Sequence, residues 1–491
     1  MTMDKQLKRV ALVGLALVVI LMININYIQG TQAEKLQANR LNTRQYQDAL
    51  FRDRGEIISA DGVKLAFSEK LNKDDAKSKY QRRYVQDGAA FVPVTGFFAG
   101  TQQKDGLELA FSSLLDGKDK RQSVNSWLDT LAGKKPEGAN LITTVDAKAQ
   151  RIAFKEIQVT QRRAAAVVMD VKTGAIKVAA SFPSFDPNSV ADVTKADQAQ
   201  KKLTELNKNP NAPLVNKAYK EIFPPGSSFK TVVAAAFLQD GHGKDDPVPA
   251  PSSVTVPGTS KPITNSHTDN ICGAAQAPLI GTFAQSCNTT YALLGDRDDL
   301  LGNKKVVDQS RKFGFYEKIK IEDDLSAPAS EYPHNTSDHG EILRGSFGQG
   351  ETKATPLQMA MVAAAIANKG TIMKPYVVQK IQSRDGDNLY EADAEDFAKP
   401  ISEDSASALE DMMREVVASG TATNLRGRNI AGKTGTTELT ETIGGAWFIG
   451  FAPADNPKYS FAVFVEGSTK IFGASTAGPI AAAITDSLLK K

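Results

Sequence analysis

An uncharged apolar run near the start of the chain constrains the fold most strongly. Val10–Ile28 carries no charged side chain and is apolar nearly throughout. A helix rises about 1.5 Å per residue, so about 20 such residues are needed to cross the hydrocarbon core of a membrane. Lys5, Lys8 and Arg9 precede the run, and positive charge on that flank predicts a cytoplasmic N-terminus. We therefore expect a cytoplasmic tail over residues 1–9, a transmembrane anchor over the run itself and an extracytoplasmic remainder.

A cleaved signal peptide is the alternative interpretation of the same run. Such a peptide has a short apolar core followed by a small-x-small cleavage site. The nearest candidate for that site, Thr31 to Ala33, matches poorly. The sequence therefore favours an uncleaved anchor.

The length and charge of the chain limit the classes of protein it can be. A chain of 491 residues is expected to form two or three domains. With 41% hydrophobic and 23% charged residues, a sizeable globular core is feasible. A net charge of +3 gives no reason to expect nucleic acid as a partner, because nucleic-acid binders carry a concentrated basic face.

The residues after the anchor predict a small module without catalytic residues. A polar, helix-friendly stretch to about residue 47 is typical of a stalk. Asp61 and Gly62 lie between two apolar segments, Arg54–Ile58 and Val63–Phe67, and an Asp-Gly pair in that position favours a β-hairpin. Residues 71–138 show no catalytic pattern. We expect a stalk and a non-catalytic module over residues 29–159.

The rest of the chain, residues 160–491, alternates strand and helix patterns in a way that predicts an α+β domain. The expected elements are a buried hairpin of Ala164–Met169 with Ile176–Ser181, helices at Thr355–Asn368, Ser402–Ala418 (with Ser402 as N-cap) and Pro479–Leu489, and strands at Ile430–Thr437, Ala446–Ala452 and Tyr459–Glu466.

The first chemical motif is an S-x-x-K pattern at the head of an apolar helix. Pro224–Gly226 stops the preceding chain, and a helix is expected from Ser227 onward. Residues three apart share a helix face, so Ser227 and Lys230 can meet. A serine becomes a nucleophile when a base takes its proton, and a lysine can be that base if burial lowers its pKa. The alternative is an N-cap serine beside a structural lysine, and the four letters alone do not decide between them.

A second motif and two cysteines lie downstream of the first. Ser286 and Asn288 flank Cys287 in an S-x-N pattern, which supplies a hydroxyl and an amide but by itself is equally typical of a polar turn. Cys272 and Cys287 both lie on the extracytoplasmic side, where thiols are free to pair. A bridge would close a loop of about 15 residues, worth about 3 kcal/mol in the chain-entropy model. Two unrelated buried thiols are the alternative.

The third motif is a K-T-G pattern in a predicted strand. Lys433 and Thr434 suit a bound carboxylate, Gly435 lets a substrate backbone approach closely, and Thr436 adds a hydroxyl. Gly427–Thr434 also satisfies the phosphate-loop pattern G-x4-G-K-T. A phosphate loop follows an apolar strand and opens a helix, whereas polar residues precede this segment and β-branched residues with glycine follow it. We therefore reject the nucleotide interpretation.

The other common chemistries find little support. The four histidines show no metal-ligand spacing, and no G-x-S-x-G elbow is present. We expect neither a metal nor another cofactor.

The ordered set S-x-x-K, S-x-N and K-T-G resembles the signature of penicillin-binding proteins and serine β-lactamases. The Gly348–Gly350 and Thr355–Ala360 segments resemble a helical part of the transpeptidase domain, and Arg54 and Gly55 with Asp61 and Gly62 resemble the start of a class B N-terminal module. The resemblance is strongest to the short class B enzymes of the penicillin-binding protein A type in actinobacteria. It implies an antiparallel sheet flanked by helices plus an all-helical subdomain.

The resemblance also implies a role for each motif residue in peptidoglycan D,D-transpeptidation. Ser227 attacks the penultimate D-Ala of a stem peptide and Lys230 is its base, while Ser286 and Asn288 relay a proton and hold the substrate amide. Lys433, Thr434 and Thr436 hold the terminal carboxylate beside Gly435. The N–H groups of Ser227 and Thr436 form the oxyanion hole, at roughly 3–4 kcal/mol per donor. β-Lactams would acylate Ser227, and a Cys272–Cys287 bridge would stiffen the second motif.

Several alternatives and partners follow from the same resemblance. Water in place of an amine would make the chain a D,D-carboxypeptidase or a β-lactamase, and loss of chemistry would leave a β-lactam sensor or a scaffold for a division or elongation complex. About 130 residues between anchor and transpeptidase domain are too few for a glycosyltransferase domain, so a separate membrane glycan polymerase is the expected partner.

Overall fold

The computed structural model describes residues 3–32, 50–71, 79–101, 103–119, 137–266, 269–334 and 336–490. The chain divides into two compact units, Met1–Asp53 with Lys70–Gln81 and Arg54–Glu69 with Arg82–Lys491. In the first unit, Leu7–Gln32 is long and apolar enough to cross a membrane and is not buried by other residues. It includes the whole predicted anchor. Most of the predicted stalk, residues 33–49, lies outside the described residues.

The described part of the chain contains α-helices and several short 3₁₀ turns. The α-helices are α1 (Met3–Tyr27), α2 (Val92–Thr95), α3 (Gly106–Ala110), α4 (Ser112–Leu115), α5 (Ala147–Val159), α6 (Asn188–Ala191), α7 (Ala196–Lys208), α8 (Lys230–Gln239), α9 (Leu279–Ala284), α10 (Asn288–Asp296), α11 (Asn303–Lys312), α12 (His339–Gly345), α13 (Pro356–Ala367), α14 (Glu403–Ala418) and α15 (Gly473–Leu489). A π-helical segment covers Ile28–Gln32. Short 3₁₀ helices cover Gly88–Ala90, Val193–Lys195, Gly226–Phe229 and Thr423–Leu425.

The strands form two larger sheets and several two-stranded ribbons. They are β1 (Ile57–Ile58), β2 (Lys64–Lys70), β3 (Tyr80–Tyr84), β4 (Phe97–Phe98), β5 (Lys104–Asp105), β6 (Asn140–Thr143), β7 (Ala164–Asp170), β8 (Ile176–Phe182), β9 (Pro247–Pro249), β10 (Ser253–Val254), β11 (Ile263–Thr264), β12 (Gln276–Pro278), β13 (Ile319–Glu322), β14 (Leu325–Ala327), β15 (Ile372–Met373), β16 (Val378–Gln382), β17 (Asn388–Glu391), β18 (Asp396–Ala398), β19 (Ala431–Glu438), β20 (Ile443–Ala452) and β21 (Tyr459–Ser468).

A five-stranded antiparallel sheet, in the order β19-β20-β21-β7-β8, forms the centre of the C-terminal part. Strands β7, β20 and β21 are nearly continuously buried and mostly apolar, because α13 covers one face and α5 and α15 pack against the sheet as well. All five strands and the α+β class agree with the prediction. Strand β19, which carries the K-T-G motif, lies at the edge of this sheet.

The second large sheet joins the N-terminal module to a later segment. The predicted hairpin at Gly62 is present, with Ile57 of β1 opposite Ala66 of β2. Strand β6 pairs with β1 on one side and with β16 on the other, so Val378–Gln382 completes the sheet. Helix α5, the last part of the predicted module, packs against β8 and α15. The module is thus interleaved with the C-terminal part, and the boundary at residue 159 stays a prediction.

Two helix starts differ from the prediction. The last helix begins at Gly473 and contains Pro479 in its interior, so the proline that suggested a start does not mark one. The chain at Ser227 is first a 3₁₀ turn, and the α-helix begins at Lys230. Ser402 does cap α14, because its side chain accepts from the N–H of Ser405.

Candidate active site

The turn that carries Ser227 is fixed from two sides. Gly226 N–H donates to Gly348 O at 2.9 Å, and Trp447 Nε1 donates to Pro224 O at 2.9 Å. Trp447 is fully buried, so the second bond joins the turn to the middle of the sheet. Ser227 itself stays half-buried at the surface of this anchored turn.

Glycines let strand β19 lie directly against the turn. Gly226 has φ +54°, and a Cβ there would lie 2.3 Å from Thr436 O. A Cβ on Gly435 would lie 2.7 Å from Pro225 O. Real Cβ atoms do not approach carbonyl oxygens so closely, so a larger residue at either position would push the strand away from the nucleophile. The glycine of the K-T-G motif therefore has a structural role here besides giving a substrate room.

Lys230 turns away from its own helix toward the second motif. Its side chain is fully buried, and Nζ donates to Ser286 O at 2.7 Å and to Asn288 Oδ1 at 2.8 Å, with Ser286 Oγ at 3.2 Å. In the described part of the chain, Ser227 Oγ has no hydrogen-bond partner. Lys230 thus joins the first motif to the second, and its hydrogen bonds go to the second motif and not to Ser227.

Ser286 adopts a conformation that aims two of its oxygens at the lysine. It lies between α9 and α10 with φ +60°, a region that non-glycine residues rarely occupy. Its N–H donates to Phe283 O at 3.1 Å, and the next N–H, of Cys287, donates to Thr282 O at 2.9 Å. Asn288 begins α10, and its Nδ2 donates to Thr264 O at 2.9 Å. These bonds hold the second motif in place.

Cys272 and Cys287 form a disulfide in the structure, and both are fully buried. Cys272 N–H donates to Asp269 Oδ1 at 2.7 Å, so the bridge ties a hydrogen-bonded turn to the middle residue of the S-x-N motif. Of the two possibilities open from the sequence, the structure contains the bridge.

Lys433 reaches the same hydroxyl as Lys230 from strand β19. Its Nζ bonds to Ser286 Oγ at 2.9 Å and to Thr434 O at 3.2 Å. The Thr434 hydroxyl is paired with that of Thr421 at 2.6 Å. The structure thus brings the three motifs together at Ser286 Oγ, to which both Lys230 and Lys433 bond.

Burial lowers the pKa of both lysines, and the charge of Lys433 lowers that of Lys230 further. Burial is the larger cause for Lys230, followed by the charge of Lys433, and together they lower its pKa well below the ordinary value. Burial lowers the pKa of Lys433 to about 7. An amine with a lowered pKa is neutral near physiological pH and can accept a proton, so the arrangement suits a general base beside a serine.

Two side chains to which the sequence gave no role also contact the site. Thr421 pairs with Thr434, as described, and no motif marked it. Gln349 lies in the connection between α12 and α13, where its side chain bonds to Thr436 and Thr437. The segment 348–350, which the resemblance marked together with Thr355–Ala360, is the turn that precedes helix α13.

No cluster of metal-ligating side chains occurs among the residues that the structure describes. The chemistry available at the site is that of a hydroxyl nucleophile, two amines, a relay hydroxyl and amide donors.

Comparison with protein families gives two matches. A penicillin-binding protein transpeptidase domain matches residues 164–486. The penicillin-binding protein A dimerisation domain matches residues 54–141. The first match alone covers more than half of the chain.

Individual relatives agree over nearly the full length. The peptidoglycan D,D-transpeptidase PbpA of Mycolicibacterium smegmatis is 34% identical, with 98% of this chain and 97% of the relative aligned. The protein of the same name from Mycobacterium tuberculosis is 32% identical over 99% of each chain. Among solved structures, penicillin-binding protein A from M. tuberculosis as an imipenem acyl-enzyme complex matches with a TM-score of 0.82 and 30% identity, covering 90% of this chain and 100% of that one. Its penicillin G acyl-enzyme complex matches with a TM-score of 0.81 and 29% identity, covering 89% and 100%.

Proposed function

The chain belongs to the penicillin-binding protein transpeptidase family, and we propose that Ser227 is the residue through which it cross-links peptidoglycan. It is a serine-type peptidoglycan D,D-transpeptidase of class B. The observation that carries the residue assignment is the convergence of Lys230 and Lys433 on Ser286 Oγ, beside the anchored turn of Ser227.

In the acylation step, neutral Lys230 accepts the proton of Ser227 as Oγ attacks the carbonyl carbon of the penultimate D-Ala. The Oγ–C bond forms and the negative charge moves to the carbonyl oxygen, where the N–H groups of Ser227 and Thr436 stabilise it. The C–N bond to the terminal D-Ala then breaks. The departing nitrogen takes a proton from Lys230 through Ser286, whose hydroxyl lies between the two lysines.

Two further groups hold the donor peptide during this step. Asn288 Nδ2 donates one hydrogen to Thr264 O, and we propose that its second hydrogen orients the peptide amide. Lys433 and Thr434 hold the terminal carboxylate in this proposal. In the second step an amine of a neighbouring stem peptide attacks the acyl carbon. Its N–C bond forms as Lys230 accepts a proton from the amine, the Oγ–C bond breaks, and Lys230 returns that proton to Ser227 Oγ.

Mass spectrometry of the intact protein after incubation with penicillin tests this assignment. We expect the mass to rise by one penicillin, with the adduct on the peptide that contains Ser227. The Ser227→Ala variant should gain no mass, whereas Ser228→Ala, which removes the neighbouring hydroxyl, should still be acylated. An adduct at any other residue overturns the mechanism.

The same experiment separates the alternative fates of the acyl-enzyme. An adduct that persists for hours fits a penicillin-binding protein, and rapid turnover of penicillin would indicate a β-lactamase. Release of D-Ala without cross-linked product in the presence of acceptor peptide would indicate a carboxypeptidase. Full complementation of growth and cell shape by Ser227→Ala would favour the non-catalytic scaffold.

We also propose how the chain is placed in the cell. The apolar helix Leu7–Gln32 anchors it once in the membrane, and the positive charges before the helix favour a cytoplasmic N-terminus with the active site outside. A membrane glycan polymerase is the partner we propose for the N-terminal module. Purified full chain should therefore not polymerise lipid-linked disaccharide by itself.

A further inference from the structure

The side chain of Gln349 bonds to two consecutive residues of strand β19. Its Nε2 donates to Thr436 O at 3.4 Å, and its Oε1 accepts from Thr437 Oγ1 at 3.2 Å. The orientation of the amide follows from chemistry, because a carbonyl oxygen can only accept and must therefore face the NH₂ group. Gln349 thus fixes both the main chain and a side chain of the strand at the point where it passes Ser227.

The direction of the Thr436 N–H follows from the hydrogen bond that Thr436 O accepts. In an antiparallel pair, each residue either exchanges both main-chain bonds with its opposite residue or turns both groups to the other side. Thr436 lies opposite Ala446 of β20, and its carbonyl is directed at Gln349, away from that strand. Its N–H must therefore also face away from β20. A Cβ built on Gly226 would lie 3.2 Å from Thr436 N, so this side is the side of the Ser227 turn.

The segment that carries Gln349 holds the Ser227 turn as well. Gly348 O accepts from Gly226 N–H at 2.9 Å, one residue before Gln349. The segment is itself fixed, because Gln349 N–H donates to Arg344 O at 3.1 Å and Glu351 N–H donates to Glu341 Oε1 at 2.6 Å. One short, well-bonded segment therefore contacts both pieces of main chain that supply oxyanion-hole donors.

We propose that Gln349 is a positioning residue that sets the separation of the Ser227 and Thr436 N–H groups. The proposal rests on the proposed function, because it requires those two groups to stabilise the oxyanion. Oxyanion donors stabilise the transition state more than the bound substrate. Loss of the Gln349 bond should therefore slow the acylation rate constant and leave the dissociation constant of the initial complex nearly unchanged.

The test is rapid-mixing kinetics of acylation by a chromogenic β-lactam on Gln349→Glu. This variant keeps the shape of the side chain, but its carboxylate has no proton to donate to Thr436 O. We expect the acylation rate constant to fall by about 10- to 100-fold at neutral pH, the range that small misplacements of reacting groups produce. A protonated glutamic acid can donate, so the ratio of variant to wild-type rate constants should rise as the pH is lowered from about 8 to about 5.

Two controls separate positioning from a general loss of stability. Gln358→Glu alters a buried glutamine whose Nε2 also donates to a carbonyl oxygen, that of Phe313 at 2.8 Å, and it should not slow acylation of the folded fraction. Thr437→Val should lower the acylation rate constant less than Gln349→Glu does. Thr437→Ser keeps the hydroxyl and should have the wild-type rate constant.

Specific outcomes overturn the proposal. These are an unchanged rate constant in Gln349→Glu, a fall confined to the dissociation constant, a rate ratio that does not change with pH, or an equal fall in Gln358→Glu. Failure of the wild-type protein to be acylated at Ser227 would instead overturn the proposed function.

Discussion

The pH dependence of acylation should depend on whether the substrate carries a carboxylate. Lys230 and Lys433 each bond to Ser286 Oγ, at 3.2 and 2.9 Å, so their nitrogens lie at most about 6 Å apart. At an effective dielectric constant of about 20, two positive charges at about 6 Å repel by about 3 kcal/mol, or about 2 pKa units. Charge on one lysine therefore strongly disfavours charge on the other.

A bound carboxylate decides which lysine carries the proton. We propose that the carboxylate pairs with Lys433 and keeps it protonated. The positive charge of Lys433, offset in part by the negative charge of the carboxylate, then lowers the pKa of Lys230. Acylation requires neutral Lys230, so its rate constant rises with pH through the pKa of that residue. An uncharged ester leaves Lys433 free to lose its proton, which removes the repulsion. The pKa of Lys230 is then higher, and the rate rises only at higher pH.

The comparison is between benzylpenicillin and its methyl ester, with the acylation rate constant measured at saturation by rapid mixing. Between about pH 5.5 and about pH 9.5, the midpoint of the pH profile should lie roughly half a unit to one unit higher for the ester than for the acid, because the carboxylate offsets part of the charge of Lys433. Thr434→Val is the matched control, because it weakens carboxylate binding and leaves both lysines in place. It should raise the dissociation constant without moving the benzylpenicillin profile. Superimposed profiles for acid and ester would refute the reasoning.

Three further predictions concern the supports of the site. Replacing Cys272 and Cys287 by serine should cost about 3 kcal/mol of stability for a sequence separation of 15 residues, measured by thermal unfolding; alkylation of both thiols in the native oxidised protein would contradict the bridge. Gly226→Ala should slow acylation at least about 100-fold, since its Cβ would lie 2.3 Å from a β19 carbonyl oxygen. Gly258→Ala, at a similarly positive φ but with open space around it, should acylate normally. Glu108→Gln should lower the free energy of unfolding by about 3–5 kcal/mol, because it removes the carboxylate charge that pairs with two buried arginines, Arg54 and Arg82. An unchanged melting temperature would contradict this.

The elements that could be predicted from the sequence are those determined by the pattern of neighbouring residues. Strands β7, β8, β20 and β21 are short apolar runs between turn residues, and such runs predict buried strands wherever they pair. Ser402 was identifiable as a cap because its hydroxyl and the following acidic residues act within a single turn. The K-T-G motif could be placed on strand β19 for the same reason, whereas Ser227 lies in a 3₁₀ turn just before the helix that was predicted to contain it.

The parts that the sequence did not predict depend on distant neighbours. Strand β16 joins β6 across more than two hundred residues of chain, and nothing in Val378–Gln382 itself specifies that pairing. Pro479 suggested a helix start, although the helix begins earlier, at Gly473, and buries Gly473, Ala477 and Gly478 of this first part. Gln349 carries no local signal, since its role comes from the two strand residues that it contacts.

In the S-x-N motif, the main chain contributes to the site as well as the side chains that the sequence pattern names. The positive φ of Ser286 turns its carbonyl oxygen toward Lys230, so the lysine is held by main chain at 2.7 Å as well as by Asn288 at 2.8 Å. Substituting Ser286 would remove the hydroxyl and leave both of these acceptors in place. In the proposed mechanism, Ser286 therefore has two separate roles: its main chain positions Lys230, and its side chain provides the path for the proton. The backbone conformation that makes this possible costs about 1–3 kcal/mol, and the bonds of the adjoining turn and the Cys287 bridge offset that strain.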